Sequence, residues 1–275
     1  MIGTQQLPTI LGPKRHASRS VFRPENLLRE ARRQLGLPDE AVPAVCALDP
    51  DGDMVRALRA AGRSQRAAGW ACYHTEMDVV EQDGVVIGIV GLAVGAPFAV
   101  LVAEQLFASG CRLLVSVTSA GQITPVGPTP YFVLIDRALR DEGTSFHYLP
   151  PTIFAEADAA LADRAFASVS ALPVTVHRGP VWTTDAPYRE TEDAIAAARA
   201  HGALAVEMEA AALYAFAAAR GRSVLCFAHV TNHMARIEGD FEKGDEAGAR
   251  DALTLIAAVV KGAGPGLHPS GVVTG

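Results

Sequence analysis

Residues 204–214 of the chain read LAVEMEAAALY, and this stretch indicates the fold more clearly than any other. Its first three residues are apolar, which is typical of a short buried strand. Glu207 and Glu209 follow directly, and the alanines and leucine after them favour a helix. Acidic residues in the first turn of a helix complement its dipole, but that role suits a solvent-facing end better than one that follows a buried strand. We therefore interpret the two carboxylates as candidate ligand-binding groups.

The same change from strand to helix recurs along the chain. Runs rich in β-branched residues alternate with alanine-rich segments whose apolar residues recur every three to four positions. Predicted strands are 42–48, 85–93, 113–117, 131–135, 174–176, 203–206 and 224–230. Predicted helices are 97–109, 155–170, 191–201, 208–220 and 245–262, with Gly110, Gly202, Gly221 and Gly262 as candidate C-terminal caps.

The turn dipeptide Asp83-Gly84 joins residues 70–80 to the predicted strand 85–93, which indicates an antiparallel hairpin. A hairpin within an otherwise alternating pattern predicts a mixed sheet. The fold class is therefore α/β, with three αβα layers around a mixed, twisted central sheet.

Length and composition favour one large domain. The chain has 275 residues, and no shift in composition divides its middle. Residues 1–24 combine prolines with a basic cluster and are predicted to form an N-terminal arm. Residues 25–262 form the single predicted domain, and the Gly/Pro-rich residues 263–275 form a flexible tail.

The charge balance excludes a basic nucleic-acid binder and a disordered polyelectrolyte. Lys and Arg number 24 against 30 Asp and Glu, and charged residues make up only 20% of the chain.

The four cysteines form no CxxC pair, and the N-terminus lacks a secretory signal pattern, so we expect a reduced, cytoplasmic protein. Residues 85–103 carry no charge, but their glycines and Pro97 indicate a strand, a turn and a helix rather than a membrane span.

Common catalytic signatures are absent from the sequence. It contains no GxGxxG after a strand, no GxxxxGK[ST], no HExxH, no GxSxG and no Cys/His metal spacing. Dinucleotide, P-loop, zincin and serine-hydrolase functions therefore lose support. Polar residues at strand-to-loop junctions remain, where open α/β sheets bind ligands.

Several motifs resemble those of the nucleoside phosphorylase family, which includes hexameric purine nucleoside phosphorylases, uridine phosphorylases and related nucleosidases. The strongest is VEMEAAALY at 206–214. The others follow in the family's order, and the resemblance extends from about residue 44 to 262: VVIGIVGLAVGAPFAVLVAEQL (85–106), SVTSAGQI (116–123), ALRDEGTSFHYLPP (138–151), VWTTDAPYRET (181–191) and HVTNH (229–233).

The resemblance implies a ribose site at the VEME segment. It makes Glu209 the ligand of the 2′- and 3′-hydroxyls, with Met208 packed on the sugar and Glu207 beside them. An ionised carboxylate can accept two hydroxyl hydrogen bonds while positive charge develops on the anomeric carbon.

The base site implied by the resemblance contains Asn232, where purine-specific relatives often have an aspartate that protonates the ring. An amide has no titratable proton, so Asn232 suits a 6-oxopurine or uracil better than adenine; closure of a turn after the strand is the alternative. Trp182, Tyr188 and Arg189 lie in the segment that resembles the family's base loop. His74 and His147 are further candidates with no assigned role.

The implied phosphate site consists of Thr118, Ser119 and the backbone near Gly121. Family members commonly have a GDP-type turn after the first strand and two arginines for phosphate. Here the turn reads ALDPDGD at 47–53, and Ser116 occupies one arginine position. Arg56 or Arg112 are possible substitutes, whereas the aspartates of the turn would repel a dianion.

The function implied by the resemblance is a pentosyltransferase reaction. Phosphate cleaves the N-glycosidic bond of a purine nucleoside or uridine and yields the free base and (deoxy)ribose 1-phosphate. Hydrolysis by water and a non-catalytic nucleoside-binding role are the alternatives. No metal or organic cofactor is implied, and phosphate is a co-substrate. The expected partners are the nucleoside, phosphate and other copies of the chain in a hexamer or dimer, without nucleic acid or membrane.

Overall fold

A computed structural model describes residues 9–234, 238, 240, 241 and 243–263. The first eight residues of the predicted arm lie outside this part of the chain. So does the predicted tail, except Ala263, which ends the last helix. The described part of the arm contains a short 3₁₀ turn at Thr9–Leu11.

The helices and strands alternate along the described residues in the predicted manner. The helices are α1 (Pro24–Leu35), α2 (Asp53–Ala60), α3 (Ala96–Ala108), α4 (Ala159–Val169), α5 (Glu192–Ala200), α6 (Ala210–Arg220) and α7 (Ala249–Ala263). The strands are β1 (Val45–Asp49), β2 (Gln65–Arg66), β3 (Met77–Gln82), β4 (Val85–Gly91), β5 (Leu113–Gln122), β6 (Tyr131–Asp141), β7 (Phe154–Glu156), β8 (Val176–Thr184), β9 (Ala205–Glu207) and β10 (Ser223–Asn232).

The ten strands of the described residues all belong to one mixed sheet, as predicted. Its order is β10-β6-β8-β9-β5-β1-β4-β3-β2, with β7 on β6. β4, β1, β5 and β10 run parallel, and β3 and β4 form the predicted antiparallel hairpin. β10 pairs with β5 as well as β6, so β5, β10, β6, β8 and β9 close into a ring. This closure is absent from the sequence prediction.

Helices cover both faces of the sheet. α3 and α6 contribute to one large apolar core, in which Leu106 and Phe216 are fully buried. α2, α4 and α7 pack in a second core with Leu58 and Ile256. These two cores make the predicted three layers and hold the carboxyl ends of the strands in place.

Some local predictions differ from the structure. Gly262 is not a helix cap, because it lies inside α7. A Cβ atom there would lie 2.5 Å from Ser168 Cβ, so the glycine permits close packing of α7 against α4. β5 continues five residues beyond the predicted strand end, because its ladder with β10 extends to Gly121.

The segment tested for a membrane span forms β4, a turn and most of α3. Within the described ranges, no helix combines the length and apolar character needed to cross a bilayer.

Candidate active site

The candidate site lies at the carboxyl edge of the sheet. β4, β1, β5 and β10 are parallel, so their C-terminal ends meet at one edge. Open α/β sheets commonly bind ligands there. The short β9 is antiparallel to β5 and brings residue 207 to the same edge, because Val206 pairs with Gly121.

Glu209 is the central carboxylate of this edge. Its side chain is 1% exposed. The backbone N–H of Gly95 donates to Oε1 at 2.6 Å, and the Thr118 hydroxyl donates to Oε2 at 2.9 Å. These two contacts connect α6, the start of α3 and β5. They leave further lone pairs on both oxygens for ligand hydroxyls.

Glu207 has a role that the sequence analysis did not foresee. One carboxylate oxygen accepts from the Thr183 hydroxyl, and the other accepts from the backbone N–H groups of Glu209 and Ala210, both at 2.8 Å. The Thr183 hydroxyl itself accepts from the N–H of Ala211 at 3.0 Å. Glu207 and Thr183 therefore satisfy the N-terminus of α6 and hold the backbone of Glu209.

Burial raises the pKa of Glu209 to about 8, and the nearby Glu207 charge adds to this effect. Burial also raises the pKa of Glu207 to about 7. Two carboxylates in a low-dielectric site disfavour double ionisation. A cationic sugar in the site would therefore stabilise the ionised pair.

Between pH 6.5 and 8, we expect the free energy of unfolding to fall as pH rises. In this interval the folded chain holds more protons than the unfolded chain, because the pKa values of Glu207 and Glu209 are raised to about 7 and 8 from 4.5. A rise in pH then favours unfolding. Burial lowers the pKa of His229 from 6.5 to about 4, which has the opposite effect, but this effect fades above pH 6.5 and involves one group against two.

Urea unfolding at half-unit steps across this interval measures the slope. The Glu209→Gln variant should show a shallower slope than the wild type. Equal slopes in the two proteins would contradict the raised pKa of Glu209.

The loop after β1 places acidic side chains beside the predicted phosphate residues. The Asp51 carboxylate accepts from the Ser119 backbone N–H at 2.9 Å and also from the Ser119 hydroxyl. Asp49 is 3% exposed and accepts from the N–H of Val55 at 2.9 Å, and burial raises its pKa to about 6. Thr118 donates its hydroxyl to Glu209. Hydroxyl donors expected for phosphate are thus bonded to carboxylates.

The cations near this loop are already paired. Lys243 Nζ lies 2.5 Å from Asp53 Oδ2 and 4.0 Å from Asp51 Oδ2. Arg56 pairs with Asp53 at 2.5 Å and is 60% exposed. Arg112 precedes β5, six residues before Thr118, which places it about 20 Å away along the strand. The structure therefore does not bring Arg112 to the site.

A buried histidine adjoins the acidic loop. His229 in β10 pairs in register with Ser119 and stacks on Phe132, with ring centroids 4.5 Å apart. Burial lowers its pKa to about 4, with Lys243 adding to the effect, so the ring is neutral near pH 7. Ser116, at the position of a family arginine, is 1% exposed, and its hydroxyl has no partner among the described residues.

Asn232 lies next to Gly121 in the ladder between β10 and β5. Its Oδ1 accepts from the N–H of Met234 at 2.9 Å, and its Nδ2 donates to the Thr231 hydroxyl at 3.1 Å. The turn-closing role weighed in the sequence analysis is thus present. One amide N–H and one oxygen lone pair remain for a ligand. Gly121 is also the register partner of Val206 in β9, so Asn232 and the start of the VEME segment lie on the two sides of the same β5 residue.

The three predicted base-loop residues are not grouped together. Trp182 is 4% exposed, packs in a small core with Val206, and donates its indole N–H to Asp141 at 3.0 Å. Tyr188 is fully exposed, and Arg189 beside it is also exposed. Trp182 thus has a packing role, and a base contact by Tyr188 or Arg189 stays a prediction.

Neither candidate histidine is buried at this edge. His74 is exposed and packs edge-on against Phe98, with centroids 6.4 Å apart. His147 is exposed in the 3₁₀ turn Ser145–His147.

Comparison with known proteins identifies the family of the chain. A family model described as the phosphorylase superfamily matches residues 36–263. The chain belongs to the phosphorylase superfamily. As a superfamily member it has the mixed α/β fold with a central sheet and flanking helices that the sequence analysis predicts.

Among curated relatives, the superfamily member is 31% identical over 150 residues to a DeoD-type purine nucleoside phosphorylase of Myxococcus xanthus, covering 54% of this chain and 63% of that protein. It is also 31% identical over 134 residues to one of Streptococcus pyogenes serotype M12, covering 48% and 56%. The matches thus span between about half and two thirds of these relatives' lengths.

Among solved structures, a uridine phosphorylase of Vibrio fischeri, complexed with 6-hydroxy-1-naphthoic acid, matches with a TM-score of 0.64. The match covers 82% of this superfamily member and 91% of the other chain at 20% identity. At this identity the likeness concerns the fold.

Sequence reasoning missed several residues of the site. Gly95 precedes Ala96-Pro97 at the start of α3, a pattern typical of a helix N-terminus, so its N–H could have been considered as a donor. Asp51 was interpreted only as a repulsive charge. No local sequence pattern marks Lys243 or Thr183 as a site residue, because their roles depend on contacts between distant segments.

Proposed function

We propose that this protein cleaves the N-glycosidic bond of a nucleoside. The observation that supports the proposal is the buried Glu209 carboxylate, held by Gly95 and Thr118 at the carboxyl edge of the sheet. In its ionised form it would accept hydrogen bonds from the sugar hydroxyls and stabilise the cationic sugar of the transition state. Met208, half-buried beside it, would pack on the sugar.

The acceptor that we propose is water. Asp51 already occupies the Ser119 N–H and hydroxyl, which are the donors that an anion would need. In the reaction a water oxygen forms a bond to the anomeric carbon and gives its proton to Asp51. The bond to the base breaks, and its electron pair leaves with the base. The base then takes up one proton from solvent and Asp51 releases its proton to solvent, so the net reaction adds one water. The products are the free base and the free sugar.

Phosphorolysis is the second candidate, and the names of the curated relatives favour it. Lys243, 4.0 Å from Asp51, is the nearby cation that would support a phosphate if Asp51 moved away from Ser119. The sugar product would then be ribose 1-phosphate. At about 4 Å, like charges near a protein surface repel by roughly 4 kcal/mol, so Asp51 would weaken phosphate binding.

We propose that Asn232 contacts the base and favours uracil or a 6-oxopurine over adenine. Its remaining N–H and lone pair match a carbonyl oxygen and a ring N–H, whereas an amide cannot protonate adenine. The curated relatives are named purine nucleoside phosphorylases and the structural neighbour is a uridine phosphorylase. Either base class is therefore compatible with the family.

The test is a panel of inosine, guanosine, uridine and adenosine, each incubated with and without phosphate. We expect release of the base and of free ribose at a rate independent of phosphate, with adenosine the poorest substrate. The released base and the sugar product are identified separately by chromatography.

Saturable dependence of the rate on phosphate, with ribose 1-phosphate as product, would contradict hydrolysis and indicate phosphorolysis. Nucleoside binding without turnover under both conditions would contradict both activities and favour a binding protein. An adenosine preference would contradict the role of Asn232.

A further inference from the structure

A second cavity lies away from the candidate active site. It has a volume of about 550 Å³ and is lined by most of residues 19–27, the second half of α3, Tyr148, Arg220 and Arg222. Sites for small ligands commonly have volumes of about 300–1,000 Å³. Gln105 on its wall is ten residues along α3 from Gly95, or about 15 Å. We call this cavity the α3 groove.

The α3 groove carries excess positive charge on an acidic chain. Four arginines and two glutamates line it, whereas the chain has a net charge of −6. Arg23 pairs with Glu25 at 3.4 Å, and Arg220 pairs with Glu104 at 3.2 Å. Arg19 and Arg222 have no carboxylate partner in the described part of the chain. The groove thus offers two guanidinium groups to an anion, and guanidinium suits phosphate geometry.

Aromatic rings lie directly beneath two of these cations. The Arg222 guanidinium lies 5.3 Å from the Phe107 ring centroid, and that of Arg220 lies 5.5 Å from the Tyr148 centroid. Phe22 also lines the groove and is 73% exposed. A flat ring can stack between such groups.

A buried polar group on the wall lacks a partner. Gln105 is 3% exposed, and its Oε1 accepts no hydrogen bond from any residue that the structure describes. An unsatisfied buried acceptor costs about 1–3 kcal/mol. An N–H donor, such as one on a nucleobase, would satisfy this acceptor.

We infer that the α3 groove binds a nucleoside monophosphate. Its phosphate lies on Arg19 and Arg222, its base stacks on the aromatic wall, and a base N–H donates to Gln105. This inference does not depend on the reaction at Glu209, because the groove shares none of its lining residues with that site.

The test is isothermal titration of the full chain with AMP, GMP, UMP and inorganic phosphate. We expect at least one nucleotide to bind about tenfold more tightly than phosphate. Arg222→Glu should weaken that binding at least about tenfold and leave nucleoside cleavage unchanged. Arg29→Glu, on the exposed side of α1 beside Glu30, is the matched control and should bind as the wild type does.

Further variants separate the possible outcomes. Gln105→Leu keeps the side-chain size and should weaken nucleotide binding but not phosphate binding; because Gln105 is buried, its fold is checked by circular dichroism. Glu209→Gln should bind the nucleotide normally.

Equal binding of phosphate and nucleotides would overturn the inference. So would nucleotide binding that survives Arg222→Glu but is lost in Glu209→Gln, since the ligand would then occupy the active site. Dissociation of an oligomer by Arg222→Glu without nucleotide binding by the wild type would assign the groove to a subunit interface.

Discussion

Replacement of Glu209 by glutamine is expected to lower kcat/KM by about 10²- to 10⁴-fold while the chain stays folded. Two sugar hydroxyls lose a charged acceptor, and hydrogen bonds to charged groups contribute about 1.5–3 kcal/mol each. Steady-state kinetics on the best nucleoside of the panel measures the change. Above pH 7 the variant should be at least as stable as the wild type, because a neutral amide replaces a buried carboxylate whose ionisation is unfavourable.

Glu192→Gln is the matched control for this substitution. Glu192 lies at the start of α5, as Glu209 lies at the start of α6, but Glu192 is exposed. Its kcat/KM should stay within about twofold of the wild-type value, as for most exposed substitutions. Near-wild-type turnover by a folded Glu209→Gln protein would contradict the assignment of Glu209 to the active site.

Asp51→Asn is expected to lower kcat by about 10²- to 10⁴-fold, the usual contribution of a general base. The amide oxygen can still accept from the Ser119 N–H, so the loop keeps its shape, but the side chain no longer takes a proton from water. Rates are measured with and without phosphate. Added phosphate should not restore the rate.

Asp53→Asn is the control within the same loop. Asp53 pairs with Lys243 and Arg56 and makes no hydrogen bond to Ser119, so its loss should reduce kcat far less. Phosphate-dependent activity that increases in Asp51→Asn would contradict hydrolysis. It would show instead that Asp51 obstructs a phosphate site.

Local pattern predicted much of the fold. Glycine, proline and the period of apolar residues report the conformation and burial of each segment, so strands, helices and the Asp83-Gly84 hairpin followed from neighbouring residues. Helices α1 and α2 were not predicted, and the end of β5 was placed too early. The closed ring could not be predicted, because it requires β10 to pair with two strands that are distant in the chain.

The residues of the candidate site were also predicted only in part. Glu207 and Glu209 were identified together as acidic residues at a strand-to-helix junction, because adjacency in the chain marks such a junction. Their separate roles depend on partners from elsewhere: Thr183 is 24 residues from Glu207, and Gly95 is 114 residues from Glu209. Asp51 reaches Ser119 across 68 residues.

The sequence alone therefore determined the α/β class, the family resemblance and the position of the carboxylates, which depend on residue type and local order. Only the tertiary structure decided that Glu207 caps α6 while Glu209 faces the site. In the tertiary structure Trp182 is also buried, Tyr188 is exposed, and Asp51 accepts from the Ser119 N–H and hydroxyl that were predicted to bind phosphate. The physical reason is that hydrogen bonding and desolvation are set by which distant segments pack together, and no local period records that packing.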